Sequence, residues 1–380
     1  MAKNITYLLG AGASANCLPV INELPTRLKL FRDNLVIRVQ EESNIQLISP
    51  SKFSKITTNS IGRLIIPEID WLLEEMENHN TVDTLAKKFY LIRNEHQNLE
   101  RLKKILVTYF LYEQSFRHGD IREGIKKELP DKRYDSLIAT IISKKIDIAD
   151  LPSNFKIVTW NYDIQFELAY KNYLPKFGLE QIQEKLQSIP TEKYLQGQSI
   201  DLARFSIVKL NGMAQSIKAN LYVGKILGDG AEWDEKFTSF LENICSFYNS
   251  LNHETLKLFT YSWEDPTEYI DTLINKGEMI NIAKSIFKET EILVIIGYSF
   301  PLFNRSIDKE LFLDCPKLRS IYIQDFNADN IKSLMQSSFP VFNRKMEFVN
   351  DDLEYTEGMQ IKTAIITDVS QFFIPPEADI

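Results

Sequence analysis

Five short, largely apolar segments punctuate the chain, and each stops abruptly at a glycine or a small polar residue. Ile5–Leu9 runs into Gly10-Ala-Gly-Ala-Ser14, and Phe155–Thr159 into Trp160-Asn-Tyr-Asp163. Phe205–Leu210 runs into Asn211-Gly212, Ile292–Ile296 into Gly297-Tyr-Ser299, and Ser320–Gln324 into Asp325. Short apolar runs of this kind suit strands buried on both faces, as in a parallel sheet covered by helices. Stretches of helical spacing lie between them at Asp163–Asn172, Tyr269–Lys288 and Asp308–Leu313. Strands alternating with helices predict an α/β fold of Rossmann-like type, with ligands bound at the carboxyl ends of the strands.

Between the first two strands the texture changes. From 27 to 150 charged and apolar residues mix at helical spacing, as in Ile69–Met76 and Leu99–Leu111, and strand signals are scarce. The chain therefore divides, on sequence grounds, into a discontinuous α/β domain (1–26 plus 151–345), a helical insertion or subdomain (27–150) and a C-terminal extension (346–380). A helix is expected from Ser14, interrupted at Asn22–Thr26, with another from Thr26 towards Val36.

Composition narrows the function classes. The 380 residues carry 44% hydrophobic and 25% charged residues with a net charge of −8, values of a globular protein long enough to bury a core. The acidic balance gives no indication of a nucleic-acid or membrane-surface binder. No run approaches the ~20 apolar residues of a membrane span, and no signal peptide is legible at the N-terminus. Cys17, Cys245 and Cys315 form no Cys-x-x-Cys, and His79, His96, His118 and His253 show no ligand spacing. A cytoplasmic protein without a metal is the expectation.

The strand ends carry the candidate chemistry. Gly10, Ala11, Gly12, Ala13 and Ser14 form a glycine turn between a strand and a helix, the setting in which backbone approaches a pyrophosphate. An unliganded tight turn would need the same glycines, and Ser14 would serve equally as an N-cap. A branched side chain at Gly12 is expected to block a ligand there while leaving the fold intact. After Thr159, Asn161 offers a donor and an acceptor to ribose hydroxyls or one water. Asp163 offers a charge that favours a developing cation. Both would also fit as caps of the following helix. Gly297 allows close backbone approach, Ser299 offers a donor, and Asp325 stands where an acidic residue holds a ribose, or where an exposed turn would place one.

Taken together, Gly10-Ala-Gly-Ala-Ser14, Thr159-Trp-Asn-Tyr-Asp163, Lys209-Leu-Asn-Gly212 and Ile296-Gly-Tyr-Ser299 resemble the sirtuin-related SIR2-like family, and most closely its branch in bacterial anti-phage defence. The resemblance covers about a third of the chain, over 5–30, 155–215 and 290–326. It implies a parallel sheet that binds NAD as substrate and, in the defence branch, hydrolyses it to nicotinamide and ADP-ribose. Activation by a partner protein or nucleotide signal is implied too, as is a homo-oligomer or a complex with a regulating protein. By the motif match, Asn161 and position 211 are the catalytic positions with Asp163 beside them. The glycine turn, Thr159, Gly212, Gly297, Ser299 and Asp325 would surround NAD.

One departure stands out. The family reads Lys-Leu-His-Gly where this chain has Asn211, and asparagine has no titratable group to act as a base. Three accounts of Asn211 are open: a substitution that traps an intact substrate complex, a natural loss of activity, or a base supplied elsewhere, for which His253 is the candidate. Accordingly two functions of different class follow: an NAD glycohydrolase effector of low activity in this form, or a catalytically silent NAD- or ADP-ribose-binding regulatory subunit. A protein deacylase is disfavoured, since the four-cysteine zinc module of such enzymes is missing.

Overall fold

In the computed structural model the described residues are 2–48, 64–92, 95–115, 130–145, 148–195, 197, 199–214, 235–252, 255–264, 276–313, 315–339, 345–349, 352–356 and 361–378. The chain splits into two compact units. One comprises Met1–Ser14, Pro130–Met213 and Asp265–Ile380, and the other Ala15–Leu129 with Ala214–Glu264.

The first unit is built on a seven-stranded parallel sheet. Its strands are β1 (Ile5–Leu9), β2 (Phe155–Thr159), β3 (Ser188–Ile189), β4 (Ser206–Lys209), β5 (Ile292–Ile296), β6 (Ser320–Gln324) and β7 (Lys362–Ile366). Their spatial order is β7-β6-β5-β1-β2-β4-β3. All five residues of β1, β5 and β6 are buried, as the apolar runs require. Tyr7, Phe155, Ile157, Ile207 and Val294 form one core face with Tyr134, Leu137, Phe166 and Phe372. On the other face Leu8, Val158, Val208, Ile295 and Ile323 are equally enclosed.

Register matters most for the site. Leu9 pairs with both Thr159 and Ile296, Thr159 with Lys209, and Ile296 with Gln324. The residue after each strand therefore falls on one line along the carboxyl edge. Strand order reverses between β1 and β5, and that topological switch point is where an open α/β sheet leaves a crevice.

The helices of the second unit are α1 (Leu24–Ile48), α2 (Ile66–Met76), α3 (Val82–Leu91) and α4 (His96–Ser115). Those of the sheet unit are α5 (Lys132–Ile141), α6 (Gln165–Lys171) and α7 (Leu179–Lys185). Next comes α8 (Glu235–Ser250) of the helical unit, and then α9 (Lys276–Glu289), α10 (Arg305–Leu313) and α11 (Ala328–Ser338) of the sheet unit. In the helical unit the tilted rings of Phe31 and Tyr112 lie 4.1 Å apart, Arg27 pairs with Glu113, and Lys104 lies 4.3 Å over the Tyr248 ring.

Several boundaries differ from the sequence reading. The glycine turn enters a single 3-10 turn, Ala11–Ser14, and the first α-helix starts at Leu24. Pro25 fits the first turn, where a missing N–H costs nothing. The 27–150 segment does not act as one body: 130–150 packs with the sheet unit, while 214–264 joins the helices. The first part of the expected Tyr269–Lys288 helix lies outside the described residues, and its remainder is α9. Towards the C-terminus β7 completes the sheet edge beside β6, and Lys345–Val349 pairs antiparallel with Asp352–Thr356.

Gln324 makes three of the hydrogen bonds that hold the segment after β7. Gln324 Nε2 donates to the carbonyls of Asp368 and Gln371, both at 2.6 Å, and Phe373 N donates to Gln324 Oε1 at 2.9 Å. Tyr7 Oη adds a bond to the Phe373 carbonyl. Gln324→Ala should cost about 1–3 kcal/mol, since three polar groups lose their partner. Urea unfolding of the variant measures this, and an unchanged midpoint would show that the Gln324 bonds do not anchor the tail.

Candidate functional site

The centre of the carboxyl edge is two glycine loops locked together. Gly10 N donates to the Ile296 carbonyl and Gly12 N to the Gly297 carbonyl, each at 3.0 Å. Gly297 has φ +59°, and a Cβ there would lie 2.4 Å from Gly12 Cα. A Cβ on Gly12 would lie 2.7 Å from Gly297 Cα, and one on Gly10 would lie 2.5 Å from the Gly297 carbonyl oxygen. The turn's glycines are thus demanded by the neighbouring strand end. This corrects the expectation that a branched residue at Gly12 spares the fold, because its side chain meets the protein's own backbone first.

Asn161 joins this loop from β2. Its Nδ2 donates to the Gly10 carbonyl at 2.8 Å and more weakly to Ser14 Oγ at 3.5 Å, and its backbone N donates to Thr159 Oγ1. The side chain is half-buried. Its Oδ1 makes no bond to a described residue, so the acceptor side of the amide faces away from these partners. Ala11 at the tip of the turn is exposed.

Behind Asn161 runs a buried chain of hydrogen bonds. Ser14 Oγ donates to Asp163 Oδ2 at 2.7 Å and lies 3.0 Å from Tyr134 Oη, while Gln165 N donates to Asp163 Oδ1 at 3.1 Å. Asp163 therefore accepts from the first residue of α6 and orients Ser14, with both oxygens bonded. Burial pushes its carboxyl above the usual range, and Lys209, then the Ser14 bond, pull it part of the way back. Lys209 Nζ donates to the Asp163 carbonyl at 2.6 Å and pairs with Glu167 at 3.1 Å. The Lys of the Lys209-Leu-Asn-Gly212 motif thus offsets buried negative charge behind Asn161.

Position 211 is brought to the same place. Asn211 is buried, and its Nδ2 lies 3.4 Å from the carbonyl of Trp160, the residue before Asn161. Gly212 has φ +81°, which lets the chain turn directly after the strand. Ser299 is exposed at the end of β5. Asp325 is half-buried, accepts from Asn327 N at 2.7 Å and so shapes the turn before α11. Its place at the β6 end fits the sequence reading, but the oxygen that bonds Asn327 has a structural task. His253 lies outside the described residues.

Two participants escaped the sequence reading. Arg133 Nη2 donates to the carbonyls of Gly12 (3.2 Å) and Ala13 (3.0 Å), and is itself held by Asp131 at 2.6 Å. Both are buried, so the guanidinium fixes the turn from behind. Tyr134, next in sequence, ends the Ser14–Asp163 chain, and burial raises its phenol pKa further. Pro130-Asp131 announces a helix start, with Asp131 Oδ1 accepting from Arg133 N, but nothing local distinguishes Arg133 from a solvated helix charge. A cavity of about 330 Å³ at the amino ends of β2 and β4, lined by Asp150, Tyr170, Lys185 and Arg204 among others, lies at the opposite edge and takes no part in this cluster.

Among the described residues no group of three or more His, Cys, Asp or Glu is arranged to hold a metal ion, and no helix is long and apolar enough to cross a membrane. The fold and site define a Rossmann-like α/β protein with a cluster of polar side chains at its switch point. No protein-family model matches the chain, and no curated protein matches it.

Gly297→Ala should destabilise the protein by more than about 2 kcal/mol, through positive φ and contact with Gly12 together. Gly12→Ala should be similarly unfavourable, because both faces of the contact are backbone. Denaturation midpoints equal to the parent's would mean that the two loops do not meet as described.

Proposed function

We propose that the chain binds NAD in the carboxyl-edge cleft and is related to the SIR2-like NAD glycohydrolases, in a form with little turnover of its own. The convergence of Asn161 and Asn211 on the Trp160 peptide carries this reading. They lie on different strands, yet Asn211 Nδ2 reaches the carbonyl of the residue before Asn161. Two asparagines at neighbouring strand ends, beside a glycine turn at a sheet's switch point, suit a nucleotide's ribose and pyrophosphate.

The roles follow from the bonds each group still has available. Asn161, whose Nδ2 is fixed on Gly10, would turn Oδ1 to a ribose hydroxyl or to the attacking water. Asp163, held by Ser14 and the α6 cap, would lend negative field to a cation developing as the bond to nicotinamide breaks. Asn211 would hydrogen-bond the ribose without taking its proton. General-base help is worth ~10²–10⁴ in rate, so its loss leaves binding largely intact and hydrolysis slow. An effector that depletes NAD when a partner or signal activates it remains the class that the motifs favour.

A second reading, a silent NAD- or ADP-ribose-binding subunit, draws on the same observation: Asn211 carries no base and both Asp163 oxygens are occupied.

One pair of variants separates the two. Asn211→His should raise nicotinamide release from NAD by about 10²-fold or more under activating conditions. Adding Asn161→Ala should abolish the gain. Rapid release by the Asn211 protein itself would place the base elsewhere. If Asn211→His binds NAD yet stays inert, the silent-subunit reading prevails.

A further inference from the structure

Beneath the cleft lies a carboxyl group that none of the sequence motifs includes. Asp308, on α10, is fully buried, and its Oδ2 accepts from Tyr298 Oη at 2.8 Å. Tyr298 follows Gly297, the residue interlocked with Gly12. Its ring stacks on Trp160, with centroids 6.1 Å apart and planes 19° from parallel. Trp160 in turn precedes Asn161, and its carbonyl accepts from Asn211. Asp308 thus touches Tyr298, the residue after Gly297, and through its ring Trp160, the residue before Asn161.

The cluster is incompletely satisfied. Trp160 Nε1–H and Asp308 Oδ1 are both buried, and neither finds a partner within ordinary hydrogen-bonding distance. The indole is nonetheless close enough to favour the carboxylate form. A buried donor and a buried acceptor left open beside each other are uncommon, because each forfeits its hydration.

We propose that Asp308 is a positioning residue that braces both walls of the cleft from below, holding Tyr298 on the β5 side and Trp160 on the β2 side. Its effect on NAD rests on the function proposed above; the brace itself does not. The groups facing the carboxyl are Tyr298, Trp160 and Arg305, with Asn304 bonded to Tyr298. Burial outweighs their help and pushes Asp308 from 3.8 to about 8. Near neutrality the carboxyl is therefore protonated, and a neutral carboxyl is a weaker acceptor for the Trp160 N–H than a carboxylate. Ionisation makes Oδ1 a strong acceptor for the indole N–H, drawing Trp160 towards Asp308. The folded protein binds this proton more tightly than the unfolded chain, so the group's contribution to stability falls as pH rises from about 4 towards 8 and is level above that.

Tryptophan emission of the full chain, followed from about pH 6.5 to 9.5, tests this. A transition near pH 8 is expected, absent in Asp308→Asn and in Trp160→Phe, and shifted upward in Tyr298→Phe, which loses a bond to the carboxylate. Calorimetry with NAD at pH 7 should show affinity near the parent's in Asp308→Asn, which keeps a donor and an acceptor. Asp308→Ala should lose about tenfold or more. Should Asp308→Ala fail to fold, Asp308→Asn and Trp160→Phe still decide the matter. A flat emission profile, or a transition that survives in Asp308→Asn, overturns the brace. If the transition behaves as expected and NAD binds to none of the proteins, the brace stands and the NAD reading falls. If NAD binds equally well to the parent and to folded Asp308→Ala, the positioning role falls.

Discussion

The approach of Gly12 to Gly297 is the constraint on which the rest of the sheet unit depends. Two backbones can come this close only where neither carries a Cβ, and each hypothetical Cβ would sit 2.7 Å or less from the other loop. This contact lies where the strand order reverses between β1 and β5. Backbone there is not free to spread, so the turn presents its outer surface, with Ala11 exposed, to whatever enters the cleft. The same glycines that suggested a phosphate loop in sequence are thus first a packing device. A site built on such a contact is rigid before a ligand arrives, which lowers the cost of ordering it on binding.

Around that contact the polar groups are arranged in two tiers. The inner tier is fully committed: Asp131 and Arg133 hold the turn's carbonyls, while Ser14, Tyr134, Asp163, Lys209 and Glu167 satisfy one another. Buried charges survive there because each meets an opposite charge or several donors. The outer tier is only partly committed, with Asn161 half-exposed and Ser299 exposed. Under the proposed function, chemistry on a ligand would fall to the outer tier, which the inner tier keeps in place.

The sheet's carboxyl edge also explains how such distant segments come to cooperate. Parallel pairing aligns Leu9, Thr159, Lys209, Ile296 and Gln324, so that residues more than a hundred positions apart are next to each other at the strand ends. Gln324 extends this logic by fastening the 368–373 segment to the end of β6.

The strands and their polar ends were legible in the sequence, because apolar runs that end in glycine or asparagine report a local constraint, burial followed by a turn. From them came the α/β class, the parallel sheet, and the list from Gly10 to Asp325. What reads locally does not say which segments touch. That Gly12 faces Gly297, that Arg133 and Tyr134 leave the helical stretch to hold the turn, and that 214–264 joins the helices all depend on tertiary contact. So does Asp308, which as a lone acid in an amphipathic helix gives no local sign that it is buried against Tyr298. The sequence settles such matters only through the whole fold, since burial and partners, not residue type, decide whether a carboxyl is a solvated charge or a brace.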